Sequence, residues 1–389
     1  MNVAVVFPEL DPRSGGGYTF QRTLYDALRA MEGETSHRFV YYVGAGDGDD
    51  EVMLRLSGRD RAAARLLRLG RDAQDRVLGM RALDRRGAFD RSLERRGIDL
   101  VWFATPYAQD CDPPFIFTVW DLQYRDQPWF PEVGRGGEWE QRNRHYSRYL
   151  PRATRVIVPN DAGREEVMRG FGVGAERILT LPHPTPALAR DAQGFSDAIS
   201  RRGISSPYLF YPAQYWPHKN HYGLLRALQA LEERSENTFE LVCVGSDKGG
   251  RGYVERLVRE LGLTDRVHLL GFVPAADLVA LYQSAHALVY LSFFGPENLP
   301  PLEAFALGCP VVAADVAGAR EQLGDAALLV PPTGPDRVAD AILSIGEPEL
   351  RARLVCAGRE RAQEASGERY VAGVLSFLDD FEPVRRCWS

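Results

Sequence analysis

Two residues stand out by type and setting as able to handle a phosphorylated ligand: Lys219 and Glu303. The chain carries 47 basic residues, and only two are lysines, Lys219 and Lys248. Where arginine fills nearly every basic position, the lysine kept in PAQYWPHKNH points to a need for a compact ammonium. Such a group reaches a phosphate through a narrow space that a planar guanidinium cannot enter. Lys248, in the turn GSDKGGRG, reads as an exposed loop residue. Glu303 lies in FFGPENLPPLEAFALGCP, where Pro300 and Pro301 suit a first helical turn because a missing N–H costs little there. The amides and positive dipole end of that helix would face a diphosphate. Glu303, one turn in, would accept hydrogen bonds from sugar hydroxyls; its alternative is to favour the first helical turn. A third stretch, Gly15, Gly16 and Gly17, precedes a helical pattern over 19–31. It lets backbone approach an anion, or is a plain strand-to-helix turn, and its spacing is not a dinucleotide fingerprint.

These residues need strand ends and helix starts to hold them, and the chain supplies both. Strands are expected at Val3–Phe7, Phe39–Val43, Leu100–Phe103, Phe115–Val119, Arg155–Val158 and Ile178–Leu181. A second series is expected at Tyr208–Tyr211, Glu240–Val244, Val267–Leu270, Ala287–Leu291, Pro310–Ala313 and Ala327–Val330. Helical patterns fall between them, as in Tyr222–Glu233 and, near the end, Glu368–Phe381. This alternation implies α/β architecture with parallel sheets covered on both faces. The proline-rich LPHPTPALARDAQGF breaks the rhythm and divides the chain. The expected domains are 1–185, a linker 186–205, 206–375, and a tail 376–389 that packs back on the first domain. Two doubly wound domains leave a cleft between the carboxyl ends of their sheets.

With 389 residues, two domains are the natural expectation. A net charge of -6 argues against a general nucleic-acid binder. The five cysteines, Cys111, Cys243, Cys309, Cys356 and Cys387, show no ligand spacing and read as reduced thiols. The start NVAVVF lacks the features of an export signal and no apolar stretch approaches a bilayer span, so a cytoplasmic protein, peripheral at most, is expected. An arginine-dense segment, 55–96, is either a solvated helical face or a contact for an acceptor or anionic membrane. Asp110-Cys111-Asp112 and the cluster Asp47, Asp49 and Asp50 read as solvated loop carboxylates rather than metal ligands. His218 and His221 read as loop or helix-cap residues. No metal or other cofactor is expected.

NLPPLEAFALGCPVVAADVAGAREQLGDAALLVPP resembles the signature of the retaining glycosyltransferases of family 4, also called group 1, which have the GT-B fold. The run HLLGFVPAADLVALYQSAHALVYLS, the Lys219–Asn220 pair and the glycine loop support the resemblance. It covers nearly all of the C-terminal half and the N-terminal half more loosely. By that resemblance Lys219 neutralises a donor diphosphate and Glu303 binds ribose hydroxyls. The amides of Asn298 and Leu299 meet the distal phosphate. The backbone at Gly271, Phe272 and Val273 borders the base, and Gly16 and Gly17 close over the diphosphate. Attack on the leaving-group face, with the phosphate taking the acceptor proton, is the implied route to retention.

Three positions depart from the family pattern. Gly295 stands where a glutamate is usual, Gln214 where an arginine is, and Trp120 where a histidine precedes the sugar-contacting Asp121. Glu297 or Asn298 is expected to take the place of the missing carboxylate. The catalytic candidates are therefore Lys219, Asp121 and Glu297, and Gln214 joins the donor-binding set. Trp120, Gln123, Tyr124 and Trp129 line the acceptor side or pack in the core. The expected activity is hexosyl transfer from a nucleotide diphosphate sugar to a glycan, lipid-linked or small-molecule acceptor. The rivals are a natural-product transferase, a non-catalytic nucleotide-sugar-binding subunit and a sugar epimerase.

Overall fold

A computed structural model describes residues 1–8, 15–43, 51–53, 87–190, 197–204, 207–235 and 238–388. The Asp47, Asp49 and Asp50 cluster and most of the arginine-dense segment lie outside them; the part described forms a helix, Ala88–Arg95. Among the described residues, thirteen strands form two wholly parallel sheets. The first contains β1 (Asn2–Phe7), β2 (Arg38–Val43), β3 (Glu51–Met53), β4 (Leu100–Phe103), β5 (Phe115–Thr118), β6 (Arg155–Val158) and β7 (Ile178–Thr180). The second contains β8 (Tyr208–Pro212), β9 (Glu240–Val244), β10 (Val267–Leu269), β11 (Ala287–Tyr290), β12 (Val311–Ala314) and β13 (Ala327–Val330). Every strand expected from the sequence is present to within a residue or so at each end. The one added, β3, is three residues long and carries no apolar alternation that would announce it.

The strand orders are β3-β2-β1-β4-β5-β6-β7 and β10-β9-β8-β11-β12-β13. In each sheet the chain winds one way from its first strand and then the other, so β1/β4 and β8/β11 are the reversal points where such folds open a crevice. Burial follows from alternation along buried strands: Val3 and Val5 face one apolar core of the first domain, Ala4 and Val6 the other.

The chain crosses between domains twice, near 181–190 and at Ala365–Ser366. The crossings are tied together: the Thr185 amide donates to Ala365 O (2.7 Å) and its hydroxyl to Ala362 O (2.8 Å). The last helix, Gly367–Arg385, lies wholly against the first domain. Its Tyr370, Val371, Val374, Phe377 and Leu378 recur at helical spacing and join Phe20, Leu24 and Leu28 of the first helix, Gly16–Met31, in one core. The return to the first domain thus begins before residue 376, because this apolar stripe already starts at Tyr370.

Candidate active site

Lys219 sits at the second sheet's reversal point. After β8 the chain makes a short 3₁₀ turn, Pro217–Lys219, and enters the helix His221–Glu232 through Asn220. Asn220 has a left-handed backbone (φ 56°), which asparagine tolerates better than most residues. Its side chain caps the helix by accepting from Gly223 N (3.0 Å) and donates to Pro332 O (2.8 Å), fixing the turn. Lys219 then spans to β11 and its following loop, where Nζ donates to Tyr290 Oη (3.0 Å) and Ser292 Oγ (3.3 Å). No carboxylate among the described residues pairs with it. A half-buried ammonium held by neutral hydroxyls keeps most of its attraction for an incoming anion.

The loop after β11 and the helix Leu299–Ala306 give the geometry behind the proline pair. Pro300 and Pro301 lie in the first turn and offer no N–H. The Asn298 amide is spent on Gln322 Oε1 (3.0 Å), while Gln322 Nε2 donates back to Asn298 O (2.8 Å). Of the amides expected to meet a phosphate, the one at Leu299 is left. Asn298 turns its side chain back to Gly295 O (3.0 Å) rather than standing in for a carboxylate. Glu303 is held by Tyr282, whose hydroxyl donates to Oε2 (2.5 Å); burial raises the Glu303 pKa and that bond opposes the rise.

Gly295 has φ +101°, and a Cβ there would fall 2.7 Å from the Asn298 carboxamide. A glutamate there would be strained by the left-handed backbone and would require the Asn298 side chain to move. The Gly295 amide instead donates to Gln123 Oε1 of the first domain (2.7 Å). Glu297 does not supply the missing carboxylate to this loop. Its Oε2 accepts from His183 N in the crossing segment (2.5 Å), its side chain is 2% exposed, and burial raises its pKa well above the usual range.

The first domain closes directly on these loops. A Cβ on Gly15, itself at φ +73°, would lie 3.3 Å from Gln214 Nε2, and one on Gly16 would lie 3.7 Å from Leu299 Cδ1. Gln214 is fixed by Ser246 Oγ (3.1 Å) and by Trp216 Nε1, which donates to its Oε1 (3.0 Å). The glycine loop thus meets two of the second domain's expected donor residues. Gly17 abuts Trp120, which packs edge-on to Phe20. Asp121 follows; burial raises its pKa, while Arg142 and Lys219 act against the rise, so the field of Lys219 reaches this carboxyl across the cleft. Tyr124 stacks on Tyr146 in the core, whereas Trp129 is exposed. Gly271 accepts from Gly245 N (2.9 Å), Phe272 projects with 68% exposure and Val273 is buried, forming a rim beyond Gln214. Asp110 pairs with Arg148 and Arg152, which accounts for one carboxylate of the Asp-Cys-Asp stretch.

Several cross-domain contacts were invisible in the sequence. Phe294 and Leu299 of the second domain are buried in the two cores of the first. Gln127 Nε2 donates to Phe293 O (3.0 Å) and Asn160 Nδ2 to Pro296 O (2.9 Å). Asn160 before DAGREE is legible as a helix cap, and it does accept from Gly163 N (3.0 Å); its second bond has no local signal.

Residues 195–361 match the family of glycosyl transferases group 1, so the second domain is a domain of that family. Among curated proteins, the chain is 30% identical over 223 residues to O-antigen chain mannosyltransferase B of Escherichia coli, covering 56% of this chain and 58% of that one. It is 31% identical over 237 residues to a D-inositol 3-phosphate glycosyltransferase of Saccharomonospora viridis, covering 57% and 54%. The chain thus spans a little over half the length of these relatives. Among solved structures, sucrose-phosphate synthase from Thermosynechococcus elongatus superposes with a TM-score of 0.75 at 20% identity, over 98% of this chain and 99% of that one. HepE of Anabaena, solved with UDP and glucose, gives 0.68 at 15% identity over 98% and 100%. The fold is GT-B.

Proposed function

We propose that this protein is a retaining glycosyltransferase that moves a hexosyl unit from a nucleotide diphosphate sugar to an acceptor hydroxyl, in building a surface polysaccharide or related glycan. One observation carries the reading: the Lys219 ammonium stands at the reversal point of the second sheet, satisfied by two neutral hydroxyls, in the cleft closed by the glycine loop. When the bond between sugar and diphosphate breaks, negative charge grows on the departing phosphate. An ammonium fixed there stabilises the transition state more than the bound donor. The leaving phosphate takes the acceptor's proton as the hydroxyl attacks on the same face. The chemistry therefore asks for no protein nucleophile, and Trp120 in place of histidine is compatible with it.

Leu299 N would add a donor to the distal phosphate, and Glu303, released from Tyr282, would bind the ribose hydroxyls. Gln214 and the rim at Gly271–Val273 would border the nucleoside. Asp121, facing Lys219 from the first domain, would contact the transferred sugar. Glu297 acts here as a tie to the crossing segment rather than as a reacting group. The relatives' names, an O-antigen mannosyltransferase and an inositol phosphate glycosyltransferase, support a glycan or small polyol acceptor. No helix among the described residues is long and apolar enough to cross a membrane. We place the protein in the cytoplasm, at most peripheral to the inner membrane face.

The test is a panel of nucleotide sugars scored for thermal shift and turnover. A ligand that favours the native state raises its melting temperature. One donor class should raise it by several degrees and undergo slow hydrolysis. A panel in which nothing stabilises the protein and nothing turns over overturns the reading.

A further inference from the structure

Lys219 has a neighbour whose partners lie in both domains. His218 meets Glu132 of the first domain at two points: the backbone N–H donates to Glu132 Oε1 (3.0 Å) and ring Nδ1 to the same oxygen (2.5 Å). Both side chains are largely covered, at 13% and 7% exposure for His218 and Glu132. Burial pushes His218 down to about 4, so the ring is neutral at physiological pH. Desolvation raises the Glu132 carboxyl, but its bonds to His218 and to its own backbone N–H together hold it below its usual value. Its other oxygen, Oε2, is buried with no partner among the described residues, so His218 is the residue outside its own backbone that this carboxylate is seen to bind.

His218 passes the contact on. Its ring lies nearly flat on Phe294 (centroids 4.6 Å apart, planes at 19°), with Phe130 edge-on beyond it. Its carbonyl accepts from Phe293 N (2.9 Å), at the start of the loop that leads to Leu299. One side chain of the first domain thus touches the residue before the lysine, and through it the loop after β11. Glu132 is at the start of a short turn of helix, Pro131–Gly134, placed by Phe130 packing on Phe293 and Phe294.

We propose that Glu132 is a positioning residue that makes the placement of Lys219 conditional on domain closure. When the domains part, His218 loses its acceptor, and both the Pro217–Asn220 turn and the Phe293–Gly295 segment lose a fixed point. When they close, one carboxylate sets both sides of the anion site together. The inference rests on the proposed transferase function for its kinetic consequence and not for its structural one.

The experiment uses the full chain with Glu132→Ala, Glu132→Gln and Glu132→Asp. Amide exchange is followed in peptides spanning 216–220 and 292–298, and kcat and KM are measured for whichever donor the panel identifies. Glu132→Ala should speed exchange at Phe293 at least tenfold and lower kcat at least tenfold, with donor KM changing much less. Glu132→Gln keeps an oxygen that accepts from both His218 donors and should return both readouts to within about threefold of the native protein. Glu132→Asp, which keeps the charge but draws the acceptor back, should show the alanine defect in smaller measure. Native exchange at Phe293 in Glu132→Ala, or a glutamine variant as impaired as alanine, overturns the proposal. The exchange arm needs no substrate, so it judges the Glu132 contact even where the donor panel overturns the transferase reading.

Discussion

The mouths of the two sheets are built on one strand order and serve unlike ends. At the mouth of the second, a lysine, a glutamate and a helix start converge from β8 and β11, each held by its own domain: Lys219 by Tyr290 and Ser292, Glu303 by Tyr282, Asn298 by Gln322. At the mouth of the first, Gly15 and Gly16 of the glycine loop, Gln123, Gln127 and Glu132 spend their contacts on the other domain. The second lobe assembles charge and the first lobe reads backbone. Chemistry and closure are thus divided between lobes, and substitutions should separate them.

The largest separation is expected from Lys219→Ala. Its ammonium makes no ion pair among the described residues and belongs to no core, so its loss should leave the fold and the domain arrangement as they are. The rate should fall a hundredfold or more, about 3 kcal/mol of transition-state stabilisation, which is the scale of removing one charged or oriented donor from such a site. Single-turnover kinetics with the donor, beside a thermal melt, measure both quantities. Turnover within a few-fold of the native protein would break the division, because the charge would then reside elsewhere.

Phe294→Ala probes the other term. The side chain belongs by sequence to the second lobe and is 7% exposed in a core of the first. Burying such a ring is worth about 2 kcal/mol, which closure would forfeit. Each lobe keeps its own sheet and core, so the expected result is a folded protein with a larger radius of gyration and weaker donor binding. Small-angle scattering of the variant and the native chain gives the answer. Equal radii would show that Leu299 and the hydrogen bonds made by Gln123, Gln127, Asn160 and Glu132 hold the lobes without this ring.

The same division explains how much was legible beforehand. Strands buried on both faces announce themselves as short β-branched runs, and so twelve of the thirteen were found with their order of appearance. Lys219, the proline pair and Glu303 were legible because their settings are local: a turn, a cap, a helix start. Gln123 and Gln127 gave no such signal, since their partners are backbone atoms of Gly295 and Phe293, far away in the chain, and Glu132 meets the His218 ring and backbone from 86 residues away. Contacts to backbone leave no complementary residue type to look for. Glu297 was misplaced for a related reason: spacing along a loop does not tell which way a carboxylate turns, and here it turns to His183 N. The spent amide at Asn298 follows the same logic, with Gln322 lying one helix further on.

The smallest effect expected is a pH dependence confined to the first lobe. Glu166 is buried behind the Asp121 loop, where Oε2 accepts from Leu122 N (2.9 Å). Burial pushes its pKa up to about 7, and that bond only partly offsets the rise. Near pH 4.5 and below, the group is protonated in the folded and unfolded chains alike, so its full contribution is present. Between about 4.5 and 7 the folded state retains a proton that the unfolded state has released, so stability must fall as pH rises through that window. Glu166→Gln keeps an acceptor for Leu122 N and has nothing to titrate. Its melting temperature should gain on the native protein across the window, by a few degrees, and the gap should level off above pH 7. Lys219 and its hydroxyl partners are untouched by this change, so donor binding should follow the native profile except where the Asp121 loop moves. Parallel melting curves from pH 4 to 8 would mean that the carboxylate is solvated in the folded chain, and that the first lobe's mouth is more open to water than the second's.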